Sequence, residues 1–240
     1  MTVVGIDGCP AGWVAVSDDD GNGAVATVAG TFVELIDRLE QPDRLLVDIP
    51  IGLPDVEQSR RTCDVAARER LRPHRHASVF DPPLREVLDA DDYEQANREQ
   101  QRLIDRGLPI QSWAIADRIR QVDDFLQSAG GPTPVREAHP EVCYSVLGDG
   151  PTTYSKTGQP AAAVWERLSV LERVDSRVPS MFRSLGTGLD ADVSNHDLLD
   201  ALVLAVVASD RTGPLETLPA TPPTDSNGRP MEIVYARWPA

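Results

Sequence analysis

The sequence predicts an α/β fold in which a mixed sheet is flanked by helices. Three observations support this class: strand-like segments open the chain, an amphipathic segment follows them, and the next strand is apolar almost throughout. Such a strand is typical of the interior of a sheet that is covered on both faces. We therefore expect this later strand to be buried on both sides.

The first 50 residues contain four predicted strands and one helix. β-Branched, apolar residues predict strands at 3–6 and 13–16, joined by a turn rich in Gly and Pro. A third strand is expected at 24–28, after a turn at 18–23. Apolar residues at helical spacing then predict a helix with Thr31 as its N-cap, and residues 45–48 predict the fourth strand.

The middle of the chain is predicted to be helical. Residues from about 55 to 110 are charged and lack strand signals, which predicts a helical insertion after the fourth strand. An apolar stripe that includes Ile115 and Ile119 predicts a core helix, which should stop before the glycine pair at 130–131.

The last hundred residues alternate between strand and helix signals. Residues 135–144 predict a return to the sheet, and Pro160 should open an amphipathic helix. Residues 194–211 predict a long helix that is apolar almost all round and therefore buried. A last strand is expected within 231–238. At 240 residues, the whole chain (1–240) is predicted to be a single domain.

The charge of the chain limits its partners. The net charge is -15, and Lys156 is the single lysine. So acidic a composition keeps a protein soluble and is typical of a salt-loving host. It also argues against non-specific duplex binding, because phosphate contacts need clustered basic residues.

Cellular location is predicted from the three cysteines and from the apolar segments. Cys9, Cys63 and Cys143 are far apart and odd in number, which fits neither a disulfide framework nor a zinc site. The chain has no signal-peptide pattern and no apolar run of about 20 residues. We therefore expect a cytoplasmic protein with no membrane contact.

Two acids follow predicted buried strands and are candidates for a functional site. Asp7 ends the first strand and Asp48 ends the fourth. In an open α/β sheet, this edge is where ligands bind. A buried carboxylate needs a cation or a hydrogen-bond donor, although an acid at this position can also cap the following turn.

Two further segments add acids to this set. If residues 135–144 are extended, Glu137, His139 and Glu141 share one face, because side chains alternate along a strand. In the last long helix, Asp197 and Asp200 are three residues apart and share a face. Ser194 can cap this helix with Asp197 as its partner, so Asp200 is the stronger candidate.

Together these residues predict a divalent-metal site. Carboxylate oxygens suit Mg²⁺ or Mn²⁺ better than zinc, and we expect Asp7, Asp48, Glu137 and Asp200 to bind the metal. The candidate catalytic residues also include Asp197 and His139, the latter as a general acid or base.

Several motifs resemble an uncharacterised bacterial and archaeal family of predicted RNase H-like nucleases. They are GIDGCPAGWVAV, VDIPIGLP, RRTCDVAARERL, SVFDPP, REAHPEV, SKTG and HDLLDAL. The resemblance implies a single RNase H-like domain and a metal-dependent nuclease. It implies that Asp7, Asp48 and either Asp197 or Asp200 are the acids of that site. Glu137 and His139 match the E-x-H-P-E pattern of the family.

Basic residues identify candidate substrate contacts. The densest positive cluster lies between residues 59 and 75, and arginine matches phosphate geometry. Lys156, in a loop of small polar residues, is a candidate point charge for a phosphate or a leaving group. The predicted substrate-binding residues are Lys156, Arg61, Arg68, Arg75 and Arg167. The expected substrate is a nucleic acid or a phosphate-bearing small molecule, while an alternative is that the arginines pair with neighbouring acids on a solvated helix.

Three functional hypotheses follow from these residues. The first is a metal-dependent nuclease or phosphodiesterase that uses the four acids. The second is a nucleotide-binding phosphotransferase of the actin-like ATPase type, in which the turn at 8–12 holds phosphate through its backbone N–H groups. The third is a non-catalytic binding or regulatory module on the same fold.

Overall fold

A five-stranded mixed sheet lies at the centre of the protein. The computed structural model describes residues 1–19, 23–129 and 134–238. The strands are β1 (Thr2–Cys9), β2 (Gly12–Asp19), β3 (Gly23–Ala29), β4 (Arg44–Val47) and β5 (Val135–Glu137). Their order is β3-β2-β1-β4-β5, with β1 antiparallel to β2, β2 antiparallel to β3, and β4 parallel to both β1 and β5. The four predicted strands before residue 50 are confirmed, although the predicted turn at 18–23 lies partly outside the described residues.

Nine helices surround this sheet in the described part of the chain. They are α1 (Phe32–Arg38), α2 (Thr62–Arg70), α3 (Tyr93–Ile104), α4 (Ile110–Ala114), α5 (Ala116–Ser128), α6 (Pro140–Leu147), α7 (Pro160–Val174), α8 (Val178–Gly188) and α9 (Asn195–Ala208). The two predicted N-caps are confirmed, because Thr31 and Ser194 each form a capping box with the acid three residues later. The glycine pair at 130–131, where α5 was expected to stop, lies outside the described residues.

The sheet is covered by helices on both faces. On one face, α6, α7 and α9 contribute to an apolar cluster that includes Leu46. On the other face, α1 and α5 pack with Leu45 and Val47. Strand β4 is therefore buried on both sides, as its uniformly apolar sequence predicted. Helix α9 is buried from Leu198 to Ala208, which confirms the prediction for that segment.

The segment after β5 differs from the sequence prediction. Residues 135–144 were expected to form one strand, but β5 ends at Glu137 and Pro140 opens α6. Proline fits the first turn of a helix, where no backbone N–H is needed for hydrogen bonding, and it cannot continue a strand ladder. Glu141 is therefore a helical residue and does not share a strand face with Glu137.

The chain between β4 and β5 and the C-terminal tail complete the structure. The described residues between β4 and β5 form α2 to α5 and two 3-10 turns, His76–Ser78 and Arg85–Val87. In the tail, β6 (Glu216–Leu218) pairs with β7 (Ile233–Tyr235), and of these two strands only β7 was predicted. Helix α8 was also missed.

The longest described helix, α7, has 15 residues. Within residues 1–19, 23–129 and 134–238, no helix is long and apolar enough to cross a membrane. Cys9, Cys63 and Cys143 are buried free thiols.

Candidate functional site

Two acids lie side by side near the carboxyl ends of β1 and β4. The strands are parallel, with Ile6 opposite Val47, so Asp7 and Asp48 follow at the same level of the sheet. The backbone N–H of Asp48 donates to the carbonyl oxygen of Ile6 at 3.0 Å, which continues the ladder to this point. Asp7 is further held by its own turn, because its Oδ1 accepts a hydrogen bond from the backbone N–H of Gly8 at 2.7 Å.

Helix α9 brings a third acid to the same place. It packs so closely on β1 that a Cβ added to Gly5 would lie 2.1 Å from the carbonyl oxygen of Ala201. This contact positions Asp200, which is only 4% exposed. Ligand oxygens of Asp7, Asp48 and Asp200 all lie within 4.8 Å of one another. The structure thus brings together three of the four predicted metal ligands.

A cleft of about 300 Å³ opens beside these acids. Besides Asp7 and Asp48, it is lined by Asp197, His139 and Arg118. Arg118 was not predicted, because nothing in its sequence neighbourhood distinguishes it from the other arginines. Its guanidinium lies over Gly8, where an added Cβ would be 2.7 Å from Nε, and its Nη2 donates to the carbonyl oxygen of Cys9 at 2.8 Å.

Asp197 and His139 lie in this cleft with different constraints. The backbone N–H of Ser194 donates to Oδ2 of Asp197 at 3.1 Å, so part of this carboxylate serves the helix cap. Nε2 of His139 lies 3.4 Å from the carbonyl oxygen of Ser78, and its buried Nδ1 has no hydrogen-bond partner in the described chain. Both residues therefore remain candidates for contact with a substrate.

Burial and mutual repulsion raise the pKa values of the three acids. Burial raises the pKa of Asp7 well above its usual range, and the charges of Asp48 and Asp200 raise it further. Burial also raises the pKa of Asp48 to about 6, against the opposing effect of His139. The pKa of Asp200 is raised by burial, although Lys156 lowers it. A cluster that holds protons this strongly is short of positive charge.

The donor set fits a hard divalent cation. The ligand atoms are carboxylate oxygens, which Mg²⁺ and Mn²⁺ prefer. In addition, Oδ1 of Asp200 is buried and has no hydrogen-bond partner among the described residues. A buried carboxylate oxygen without a partner is costly, and a bound cation would satisfy it.

We expect the affinity for Mn²⁺ to rise with pH through about pH 6. The pKa of Asp48 is raised from 3.8 to about 6, so between these values the folded protein holds more protons than the unfolded chain. The contribution of this group to the free energy of unfolding therefore falls as pH rises, while the competition between protons and metal weakens. Thermal melts from pH 5 to pH 8, with Mn²⁺ and with EDTA, measure both effects. Asp48→Asn should reduce the pH dependence of the stability and the pH dependence of the Mn²⁺ affinity. A Mn²⁺ affinity that does not depend on pH in the wild type would contradict the prediction.

Glu137 also lines the cleft, but its carboxylate is not part of the group formed by the three acids. In the register of β4 and β5 it is opposite Val47, one residue before the level of Asp48, and side chains alternate along strands. Its Oε2 accepts hydrogen bonds from the backbone N–H of Ile51 at 2.6 Å and from Nη2 of Arg61. This corrects the expectation that Glu137 joins the metal ligands.

Arg61 was expected to contact a substrate but is 1% exposed. Its guanidinium pairs with Glu137 and lies 3.7 Å from Asp64. Burial would lower the pKa of Arg61, but the charges of Asp64 and Glu137 raise it above its ordinary value. Arg61 is therefore a buried counter-ion, and this corrects its assignment as a substrate contact.

Replacing Arg61 with methionine should lower the free energy of unfolding by about 3 kcal/mol, because it leaves buried carboxylates without a partner. Adding Glu137→Gln should restore part of this loss, which urea unfolding can measure. Glu137→Gln alone should leave the affinity for Mn²⁺ unchanged. If it weakened Mn²⁺ binding as much as Asp48→Asn does, Glu137 would be a metal ligand after all.

A second buried ion-pair network lies next to Asp200. Glu141, which was not chosen as a site residue, is 3% exposed. It accepts hydrogen bonds from Arg167 and from Thr152, whose hydroxyl is at 2.7 Å. Lys156 pairs with Asp200, and its Nζ lies 3.7 Å from Oε1 of Glu141.

These contacts decide the placement of the remaining basic residues. Arg167 is fully buried behind Glu141, which corrects its assignment as a substrate contact. Lys156 is at the site, with its side chain 28% exposed. Arg68 pairs with Asp81, and Nε of Arg75 donates to the carbonyl oxygen of His74 at 3.0 Å. Neither arginine lines the cleft itself, but Nε of Arg68 donates to the carbonyl oxygen of Val79, a residue that does. Contact of Arg68 and Arg75 with a substrate stays a prediction.

Comparison with known proteins gives a family without an assigned activity. No curated protein and no solved structure matches the chain. A family model matches residues 5–224, a range that contains all three clustered acids, Lys156 and the residues that line the cleft up to Asp197. The chain therefore belongs to the family described as protein of unknown function DUF429.

Proposed function

We propose that the chain is a divalent-metal-dependent phosphodiesterase that cleaves nucleic acid or another phosphodiester. The observation that carries this proposal is the group of three acids, from near the carboxyl end of β1, from the position directly after β4 and from the buried helix α9. We further propose that the fold is RNase H-like. The strand order β3-β2-β1-β4-β5 supports this, with three antiparallel strands followed by two parallel ones.

In this proposal, Asp7, Asp48 and Asp200 hold Mg²⁺ or Mn²⁺. A bound divalent ion would supply a Lewis acid that polarises the phosphate and lowers the pKa of an attacking water. Around it, Arg118 can contact a phosphate oxygen from its position over Gly8. His139 lines the same cleft and can exchange a proton through Nδ1, because Nε2 faces the carbonyl oxygen of Ser78.

The hairpin between β1 and β2 gives little support to the alternative that the chain is a phosphotransferase. Cys9 pairs with Gly12, so only two residues connect the strands. One of them, Pro10, has no backbone N–H, and the N–H of Gly8 already donates to Asp7. Few donors remain to hold a phosphate in the manner of an ATPase loop. Calorimetric titration with ATP and Mg²⁺ tests this alternative, and tight binding would favour it.

The proposed activity can be tested with a panel of labelled substrates. Single-stranded RNA, duplex DNA, an RNA–DNA hybrid, a four-way junction and bis-p-nitrophenyl phosphate would be incubated with the protein in Mn²⁺, Mg²⁺ or EDTA. Each assay would be run at low and high KCl, because the chain is strongly acidic. We expect cleavage that stops in EDTA and returns when Mn²⁺ is restored. Mn²⁺ binding without cleavage of any substrate would favour the non-catalytic module, and cleavage that persists in EDTA would contradict the metal site.

A further inference from the structure

The single lysine of the chain lies against the proposed metal site. Lys156 pairs with Oδ2 of Asp200, and its Nζ is 3.7 Å from Oε1 of Glu141. We propose that Lys156 takes the place of a second metal ion, so that the site binds one divalent cation and not two. This inference rests on the proposed function.

The contacts of Asp200 and Glu141 support a site with one divalent cation and one lysine. Lys156 occupies one oxygen of Asp200, while the other, Oδ1, is buried and without a partner in the described chain. Glu141 is engaged on both oxygens, since Arg167 contacts Oε1 and Thr152 donates to Oε2. The acids that remain open to a cation are those of the group formed by Asp7, Asp48 and one side of Asp200.

The side-chain charges around Lys156 also indicate one divalent cation. Asp7, Asp48, Asp200 and Glu141 carry four negative charges when ionised, and Lys156 and Arg167 carry two positive charges. The difference equals the charge of one divalent cation.

The other charged groups of the cleft leave at most one further negative charge. Its remaining acids are Asp64, Glu137 and Asp197, and the basic groups beside them are Arg118 and the buried Arg61, which pairs with Asp64 and Glu137. His139 adds positive charge only when it is protonated. A second divalent ion would therefore give the site an excess of positive charge. It would also have to displace an ammonium group that two carboxylates hold.

A fixed ammonium group has a chemical consequence for the proposed reaction. In sites with two metals, one ion stands on the side of the attacking water and the other on the side of the leaving oxygen. A lysine at the second position supplies positive charge that is part of the chain. Lys156 is in this sense a positioning residue, which holds Asp200 and sets the number of ions.

The test is the stoichiometry of Mn²⁺ binding, measured by calorimetry on the full chain after treatment with EDTA. We expect one Mn²⁺ per chain for the wild type and for Lys156→Arg, which keeps the charge. Lys156→Met removes the charge while keeping most of the length, and it should bind two Mn²⁺, a twofold increase. Asp37→Asn on the exposed face of α1 is the matched surface control and should bind one.

The outcomes separate this inference from the function on which it rests. Two Mn²⁺ bound to the wild type would overturn the inference while leaving the metal-dependent hydrolase intact, and so would a single Mn²⁺ bound to a folded Lys156→Met. If the wild type binds no Mn²⁺, both proposals are wrong. If Lys156→Met does not fold without metal, the wild-type stoichiometry still decides, and thermal melts with and without Mn²⁺ show whether the ion restores the variant.

Discussion

Asp7→Asn is expected to lower the affinity for Mn²⁺ by more than about 100-fold and to abolish metal-dependent cleavage. The loss of a residue that only supports a metal ligand already costs about 10- to 100-fold, so the loss of a ligand itself should cost more. Asparagine has nearly the same shape as aspartate, and its oxygen can still accept the hydrogen bond from Gly8. The expected effect is therefore electrostatic and not a change of fold.

The same substitution should stabilise the protein in the absence of metal. Asp7 is held near Asp48 and Asp200, and burial with their charges raises its pKa well above the usual range. Removing this carboxylate relieves a cost that the folded state bears at neutral pH, so the melting temperature in EDTA should rise. Calorimetry measures the affinity for Mn²⁺, cleavage assays measure the activity, and thermal melts in EDTA measure the stability without metal.

The control for Asp7→Asn is Asp37→Asn, which removes an exposed acid of α1. It should leave the affinity for Mn²⁺, the cleavage activity and the melting temperature unchanged. A residue that only supports the fold would lose stability together with activity, so opposite changes identify a functional acid. If Asp7→Asn lowered the melting temperature in EDTA and kept its affinity for Mn²⁺, Asp7 would be a turn-capping residue.

Gly5→Val is expected to prevent the protein from folding. The Cβ of any residue at this position would lie 2.1 Å from the carbonyl oxygen of Ala201 and 2.3 Å from the backbone nitrogen of Ala205. These are backbone atoms of a buried helix, so α9 as a whole would have to move away from β1. Such a change is larger than the overpacking of a side chain, which costs about 1 to 3 kcal/mol, and it approaches the total stability of a domain, about 5 to 15 kcal/mol.

The measurement is urea unfolding followed by circular dichroism, with Gly188→Ala as the control. Gly188 is exposed at the end of α8, and an added Cβ there meets no described atom within 4 Å. This control should change the free energy of unfolding by less than about 0.5 kcal/mol. Gly5→Ala provides an intermediate case, in which any folded fraction should bind Mn²⁺ more weakly because Asp200 moves with α9. A Gly5→Val protein with wild-type stability would show that α9 does not depend on this close approach.

The sequence predicted the acids whose positions follow from local patterns. Asp7 and Asp48 each follow a run of apolar strand residues, and parallel strands bring their carboxyl ends to one edge. Asp200 interrupts an otherwise apolar helical face, so its burial could be predicted from spacing alone. The positions of the first four strands in the sequence and the burial of β4 were likewise predicted from runs of apolar residues.

The rest of the site depends on tertiary contacts that spacing does not contain. Period-two alternation favoured Glu137 as a ligand, but Pro140 opens a helix, and the register of β5 turns Glu137 toward Arg61. Arg167 was assigned to the substrate because arginine suits phosphate, whereas its partner is Glu141, 26 residues earlier. Pairing between distant charged residues decides which arginines are exposed, and a single sequence does not reveal it.

The close contact between β1 and α9 also has a consequence during synthesis of the chain on the ribosome. The first two acids belong to the first 48 residues, and the third follows more than 150 residues later. Since the chain is translated from its N-terminus, the early strands emerge long before residue 200. A partly synthesised polypeptide therefore carries two carboxylates without the third, and the complete group of three acids forms only after α9 has left the ribosome and docked.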